Sequence, residues 1–243
     1  MMEIVDIMLL LLVGMGACFV QRVSGFGLSI FAMLFLPHFF PVPVDAASVS
    51  NMMSCVTSSY NSIYCRKDIS FKMILPLLLA ALATIPFAVY LSNRISAQSF
   101  HIVLGIVQIL LSIYFLTLGK KVKFKATKGK GVLCGVASGL LTGLFSTGGP
   151  PAVIYVDNAS ENKNEYFASI QFFFAMSNIY AITFRIINGF ITVQLVLYTL
   201  IGLAGCFIGN YIGKKVFNRL DGGTIKIIVY IAMLISGVLM IVK

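Results

Sequence analysis

Two glycine-rich interruptions in otherwise apolar sequence are the places where this chain has the means to bind something: Ser24-Gly25-Phe26-Gly27 and Ser146-Thr147-Gly148-Gly149-Pro150-Pro151. Glycine lets the backbone turn sharply and approach a ligand closely. Pro150 and Pro151 suit the first turn of a helix, where a missing N–H costs least, and Ser24 or Thr147 would cap such a start. A helix that begins in apolar surroundings points free N–H groups and a partial positive charge ahead of it, which is the chemistry of an anion site. The bland alternative is that the glycines only allow close helix packing. A Gly-Gly-Pro-Pro break with a partner break elsewhere in the chain favours the binding reading.

A few polar side chains within apolar runs join these breaks as candidates. Asn51 and Ser54 lie in one run, Gln171 and Asn178 in another. Such amides can donate to an anion's oxygens, and they equally join helices inside a membrane. Arg22 stands two residues before the first break, either as a counter-ion for a bound anion or as a side chain that snorkels to an interface. Arg185, close to the end of its run, is expected to be a snorkelling anchor. Enzyme chemistry is not expected. His38 and His101 sit near run ends, far from an activated serine, and neither HExxH nor a Cys/His cluster occurs, so no catalytic residue, metal or cofactor is assigned. The five cysteines are dispersed and read as small apolar packing residues.

The elements that must position these residues follow from composition. Of 243 residues, 59% are hydrophobic and 11% charged, against about 25% charged in a soluble domain; mean hydropathy is +0.97. The excess apolar surface must face a lipid bilayer, so the net charge of +10 describes orientation in a membrane rather than affinity for nucleic acid. The opening MMEIVDIMLLLLVG, with acids ahead of the apolar stretch, is expected to be a retained membrane segment. Apolar runs punctuated by turns predict helices over 4–23, 26–40, 46–65, 71–92 and 98–118, then 131–146, 149–158, 165–188, 191–213 and 223–242. Segments 26–40 and 149–158 are short, about 22 Å and 15 Å as helices against a hydrocarbon core of about 30 Å. Each is expected to form a broken or re-entrant hairpin with the segment before it.

The two sets of five resemble each other at an offset of about 121–125 residues. Gly16 and Gly25 fall on Gly139 and Gly148, and Ala47-Ser48 on Ala168-Ser169. The predicted organisation is a first membrane repeat over 1–118, a Lys-rich linker over 119–130 and a second membrane repeat over 131–243. Basic residues cluster at Arg66/Lys67/Lys72, in the linker, and at Lys214/Lys215/Arg219. Placing all three clusters in the cytoplasm satisfies the positive-inside bias and leaves both termini external. Equivalent loops then carry swapped charge, because Arg66-Lys67 corresponds to the uncharged Asn188-Gly189 turn. Swapped charge implies two inverted repeats, each a broken hairpin followed by three spans, with the two breaks facing one midplane site. Such an architecture belongs to a transporter of a small anionic substrate, with a proton or sodium ion as a possible coupling partner; an anion channel or a non-transporting membrane subunit is the alternative.

The stretches SGFGLSIFAMLFLP (Ser24–Pro37) and GLLTGLFSTGGPPAVIY (Gly139–Tyr155) resemble the two glycine motifs of the sulfite exporter TauE/SafE family, small bacterial membrane permeases. FASIQFFFAMSN (Phe167–Asn178) and GLAGCFIGNYIGKKVF (Gly202–Phe217) continue the resemblance, which covers nearly the whole chain. It implies a permease of the bacterial inner membrane for sulfur-containing anions such as sulfite, sulfonates or sulfoacetate-like compounds. Members commonly carry an Arg where this chain has Phe167.

Overall fold

Turn chemistry sets the element order in the computed structural model, which describes residues 4–117, 125–216 and 222–242. The first five helices are α1 (Ile4–Ser24), α2 (Leu28–Phe39), α3 (Pro43–Tyr64), α4 (Phe71–Ser92) and α5 (Ala97–Thr117). The second five are α6 (Lys128–Phe145), α7 (Gly149–Ala159), α8 (Lys163–Ile187), α9 (Val193–Val216) and α10 (Gly222–Val242). All ten expected segments are present, and no strand occurs among the described residues. The linker lysines 120, 121 and 123, with Arg219, lie outside the described residues. Lys128, Gly129 and Lys130, assigned to the linker by sequence, instead open α6, because Thr127 caps it by accepting from Lys130 N. Asn162 caps α8 by accepting from Asn164 N and Glu165 N.

Both breaks form as turns, with one correction to their chemistry. Between α1 and α2 the chain turns through left-handed Gly25 (φ 80°) and Gly27 (φ 106°), a region costly for residues with a Cβ. Gly27 is therefore the N-cap of α2 and Gly148 that of α7, and neither makes a side-chain capping bond. Ser24 is the last residue of α1, its side chain outside the described ones, and Thr147 precedes the N-cap with its hydroxyl unpartnered among the described residues, so the expected Thr147 cap is not made. The α2 and α7 helix starts are left bare. At 12 and 11 residues these helices reach about 18 Å and 16 Å, roughly half the hydrocarbon thickness.

The chain is an all-α polytopic membrane protein: α4, α5, α8 and α9 are each long and apolar enough to cross a bilayer. Their outward faces carry exposed residues such as Leu79, Phe87, Leu110, Leu200 and Phe207, which suit lipid contact. The interior holds polar groups instead, since Ser48, Ser50, Asn51, Ser54 and Ser58 of α3 are all buried. Four close pairings organise the bundle: α1 with α9, α4 with α6, α3 with α8 and α5 with α10. Glycines permit two of them. Gly135, Gly139 and Gly143 of α6 lie against the carbonyls of Leu77, Ala81 and Ile85 in α4, and Gly205 and Gly209 of α9 against those of Leu11 and Met15 in α1. Four-residue spacing of glycines lets helix backbones meet directly in a membrane.

Replacing Gly139 by Leu should cost about 1–3 kcal/mol or more, because the new Cβ meets the Thr84 hydroxyl and also the Ala81 backbone of α4, which cannot move aside as a flexible side chain would. Gly129→Ala, which meets nothing, should be neutral or slightly stabilising. Thermal unfolding of both variants in detergent checks the contrast, and equal stabilities would refute the packing role.

Candidate functional site

The two bare helix starts open on one small cavity. Gly27, Leu28 and Ser29 from the first break line it opposite Ser146, Gly148 and Gly149 from the second, with Gln21, Ser54, Thr142, Phe174, Ser177 and Asn178 completing the wall. Among the described residues no acidic side chain lines it. The space is narrow, with room for little more than a single water. Near its α7 end the hydroxyls of Thr147 and Ser177 are both buried and have no hydrogen-bond partner among the described residues. A buried hydroxyl without a partner costs free energy unless something else satisfies it. Pro150 and Pro151 supply no N–H, so the donors at the start of α7 are concentrated at Gly149 and Ala152.

Each break is held by side chains from the opposite half of the chain. Gln21, near the end of α1, donates from Nε2 to Gln171 Oε1 at 3.2 Å, and Gln171 Nε2 donates to Gly25 O at 2.8 Å. Ser146, at the end of α6, donates to Ser50 Oγ of α3 at 3.0 Å. Ser138 Oγ bonds Gly148 O, tying the second turn to its own helix. Between α3 and α8, Asn51 Nδ2 donates to Asn178 Oδ1 at 2.7 Å, and Asn178 Nδ2 donates to Ser54 Oγ at 3.1 Å.

Six of the sequence-derived candidates thus share the cavity wall: Gly27, Ser54, Ser146, Gly148, Gly149 and Asn178. Thr147 sits between two of these wall residues, and the Ser24 side chain lies outside the described ones; the remaining candidates stand off the wall. Asn51 and Gln171 act behind the wall as hydrogen-bond partners, Gly25 offers its carbonyl to Gln171, and Pro150 is buried in the first turn of α7. Phe26 packs into an apolar cluster, its ring 5.8 Å from that of Phe115. Arg22 is half-buried in a second cavity with Cys18, Asn61, Phe167 and Asn210, a mostly apolar space that also touches Gln21. Gln21 lines both cavities, whereas Arg22 lines the second and not the central one.

Arg185 corrects the sequence reading. It is not a snorkelling anchor, being 0% exposed. Its Nε donates to Asn51 Oδ1 at 3.1 Å, Nη1 to Ser48 Oγ at 3.3 Å and Nη2 to Gly143 O at 2.8 Å. Proximity to the helix end suggested an interface, whereas the side chain turns inward between α3 and α6. The missed signal was periodicity: Gln171, Asn178 and Arg185 are spaced seven apart, which places all three on one stripe of α8. Gln21 and Ser177, also missed, are polar neighbours of residues already singled out. Among the described residues no three His, Cys, Asp or Glu side chains gather as a metal site needs.

Comparison with known proteins gives one match. The family model for the sulfite exporter TauE/SafE matches residues 10–240. No curated protein and no solved structure matches the chain.

Asn51→Leu should destabilise the fold by about 1–3 kcal/mol or more, because it strands a buried charged donor as well as the Asn178 carbonyl. Thermal unfolding against exposed Asn188→Ala, expected near neutral, checks this; equal melting of the two would remove Asn51 from the network.

Proposed function

The chain belongs to the sulfite exporter TauE/SafE family, a family of membrane transporters, and from that premise we propose that it carries small sulfur-containing oxyanions such as sulfite or sulfonates through the cavity between its two breaks. The observation that carries this reading is the meeting of two uncapped helix starts on one buried cavity without an acid. Both helix poles there are positive, and each start leaves N–H groups without intrahelical partners. The hydroxyls of Ser54, Thr147 and Ser177 and the amide of Asn178 supply further groups for an anion with several oxygens. Low dielectric surroundings strengthen each of these interactions.

Alternating access between two inverted repeats, over 1–118 and 131–243 with the linker at 119–130, is the mechanism that fits a cavity this closed. Contacts that exchange under the sequence offset support the repeats. The α1–α9 pairing exchanges with α6–α4. The close approach of Gly105 to Gly237 exchanges with the Ser112 Oγ bond to Tyr230 O. In this mechanism the Gln21–Gln171 and Ser146–Ser50 bonds part in turn, each releasing one break from the opposite repeat. With the basic clusters in the cytoplasm, the first hairpin enters from outside and the second from inside. Coupling to a proton or a sodium ion would supply a driving force.

Purified protein in liposomes should show saturable flux of at least one of sulfite, thiosulfate and methanesulfonate; flux of none would sink the substrate class. Gly149→Leu is the sharpest site variant, because the Cβ position has ordinary room near Phe174 while a longer side chain obstructs the cavity. It should fold normally and lose flux at least tenfold. Gly148 is a poorer choice, since its Cβ meets the Ser138 carbonyl and Thr142. For orientation, a reporter fused after Lys125 should read cytoplasmic and one at Gly189 external, and the opposite pattern would invert the topology.

A further inference from the structure

A broken hairpin brings two helix ends to its tip, and their poles have opposite sign. At the second break the positive start of α7 faces the cavity. The last turn of α6, which ends at Phe145, carries carbonyls without intrahelical partners and a partial negative charge that opposes an anion. Gly143 O belongs to that turn, and Arg185 Nη2 donates to it. The guanidinium thereby offsets the negative pole of this hairpin, which would repel substrate. Its two other partners, Asn51 and Ser48, are also neutral, so none of its hydrogen bonds goes to a carboxylate. Asp45, in the first turn of α3, is within electrostatic reach but is not a bonding partner. A buried cation held only by neutral groups is costly.

The hydrogen bonds from Arg185 also run in one direction. Arg185 donates to Asn51, Asn51 to Asn178 and Asn178 to Ser54, and the last two line the cavity. Because Ser54 Oγ accepts from Asn178, its own hydrogen is free to point elsewhere, and bonds aligned in this way polarise one another. We propose that Arg185 is the fixed countercharge of the anion site, a positioning residue that acts through Asn51, Asn178 and Ser54 and makes the site select by substrate charge. Arg22, which lines the second cavity and not the central one, does not fill that role. The inference rests on the anion-transport reading and adds to it which charge sets affinity.

The test is calorimetric titration of the purified full-length protein with thiosulfate, a dianion, and methanesulfonate, a monoanion. Asn51→Asp keeps an oxygen acceptor for Arg185 and forms an ion pair with it, and although it loses the donor to Asn178 Oδ1, a flip of the Asn178 amide pairs the new carboxylate, so the fold should hold while the charge behind the site is cancelled. Thiosulfate affinity should fall at least tenfold, and by more than methanesulfonate affinity. Arg185→Gln should show the same pattern, whereas Arg185→Lys should retain most of the thiosulfate affinity. If Arg185→Gln does not fold, Asn51→Asp alone decides. A folded Asn51→Asp that binds both anions within twofold of the unaltered protein overturns the countercharge assignment and leaves the transport reading intact. Failure of the unaltered protein to bind either anion overturns both.

Discussion

Backbone that leaves the helical conformation within a bilayer has no water to satisfy it, and the rest of this structure is arranged around that constraint. Two turns, at Gly25–Gly27 and Ser146–Gly148, break helices in the interior of the bundle. Their carbonyls are taken up from α8 and α6: Gln171 serves Gly25 O, Arg185 serves Gly143 O and Ser138 serves Gly148 O. The N–H groups at the starts of α2 and α7 receive no side-chain cap. Carbonyls satisfied and amides left bare is the polarity of a place for an anion. Had a hydroxyl residue stood at either N-cap in place of Gly27 or Gly148, the same hairpins would present far less to a ligand.

Helix α8 has an outsized part in this arrangement. Its seven-residue stripe reaches the first break through Gln171, the cavity wall through Asn178 and the end of α6 through Arg185. A single rigid element thus touches both hairpins, and a shift of α8 along or about its axis changes both sets of contacts together. In the proposed mechanism that makes α8, with its partner α3, the axis about which access alternates.

The glycine packing shows why the proposed duplication is faint in the sequence. Along α4–α6 the closely packed glycines lie on α6, whereas along α1–α9 they lie on both helices, Gly14 of α1 against the Gly202 carbonyl and Gly205 and Gly209 of α9 against those of Leu11 and Met15. Close approach needs a small residue on one side of the contact, and either side will do. Gly16 and Gly139, matched by the offset, face different neighbours: Phe31 within the first hairpin, and Ala81 and Thr84 on α4. Equivalent geometry is reached through non-equivalent residues, so a residue-by-residue match fades while the helix pairing persists.

Element positions were legible because apolar runs and turn residues are local signals: every helix lies within a few residues of its expected span, and the Gly-Gly-Pro-Pro break starts α7 where it should. Gly27, Ser54, Ser146, Gly148, Gly149 and Asn178, which line the cavity, were legible as candidates because glycines and polar side chains inside apolar sequence are conspicuous. Gln21 and Ser177 were hidden beside more obvious neighbours, and Arg185 was misread because distance along a helix does not reveal which way a long side chain turns. Membrane residence, helix order and the two breaks follow from the sequence alone, since hydropathy and backbone conformational preference act over a few residues. That the breaks meet at one cavity, that their amides stay bare, and that a buried guanidinium stands behind them were decided only by tertiary packing, because each depends on groups more than a hundred residues apart in several of its contacts.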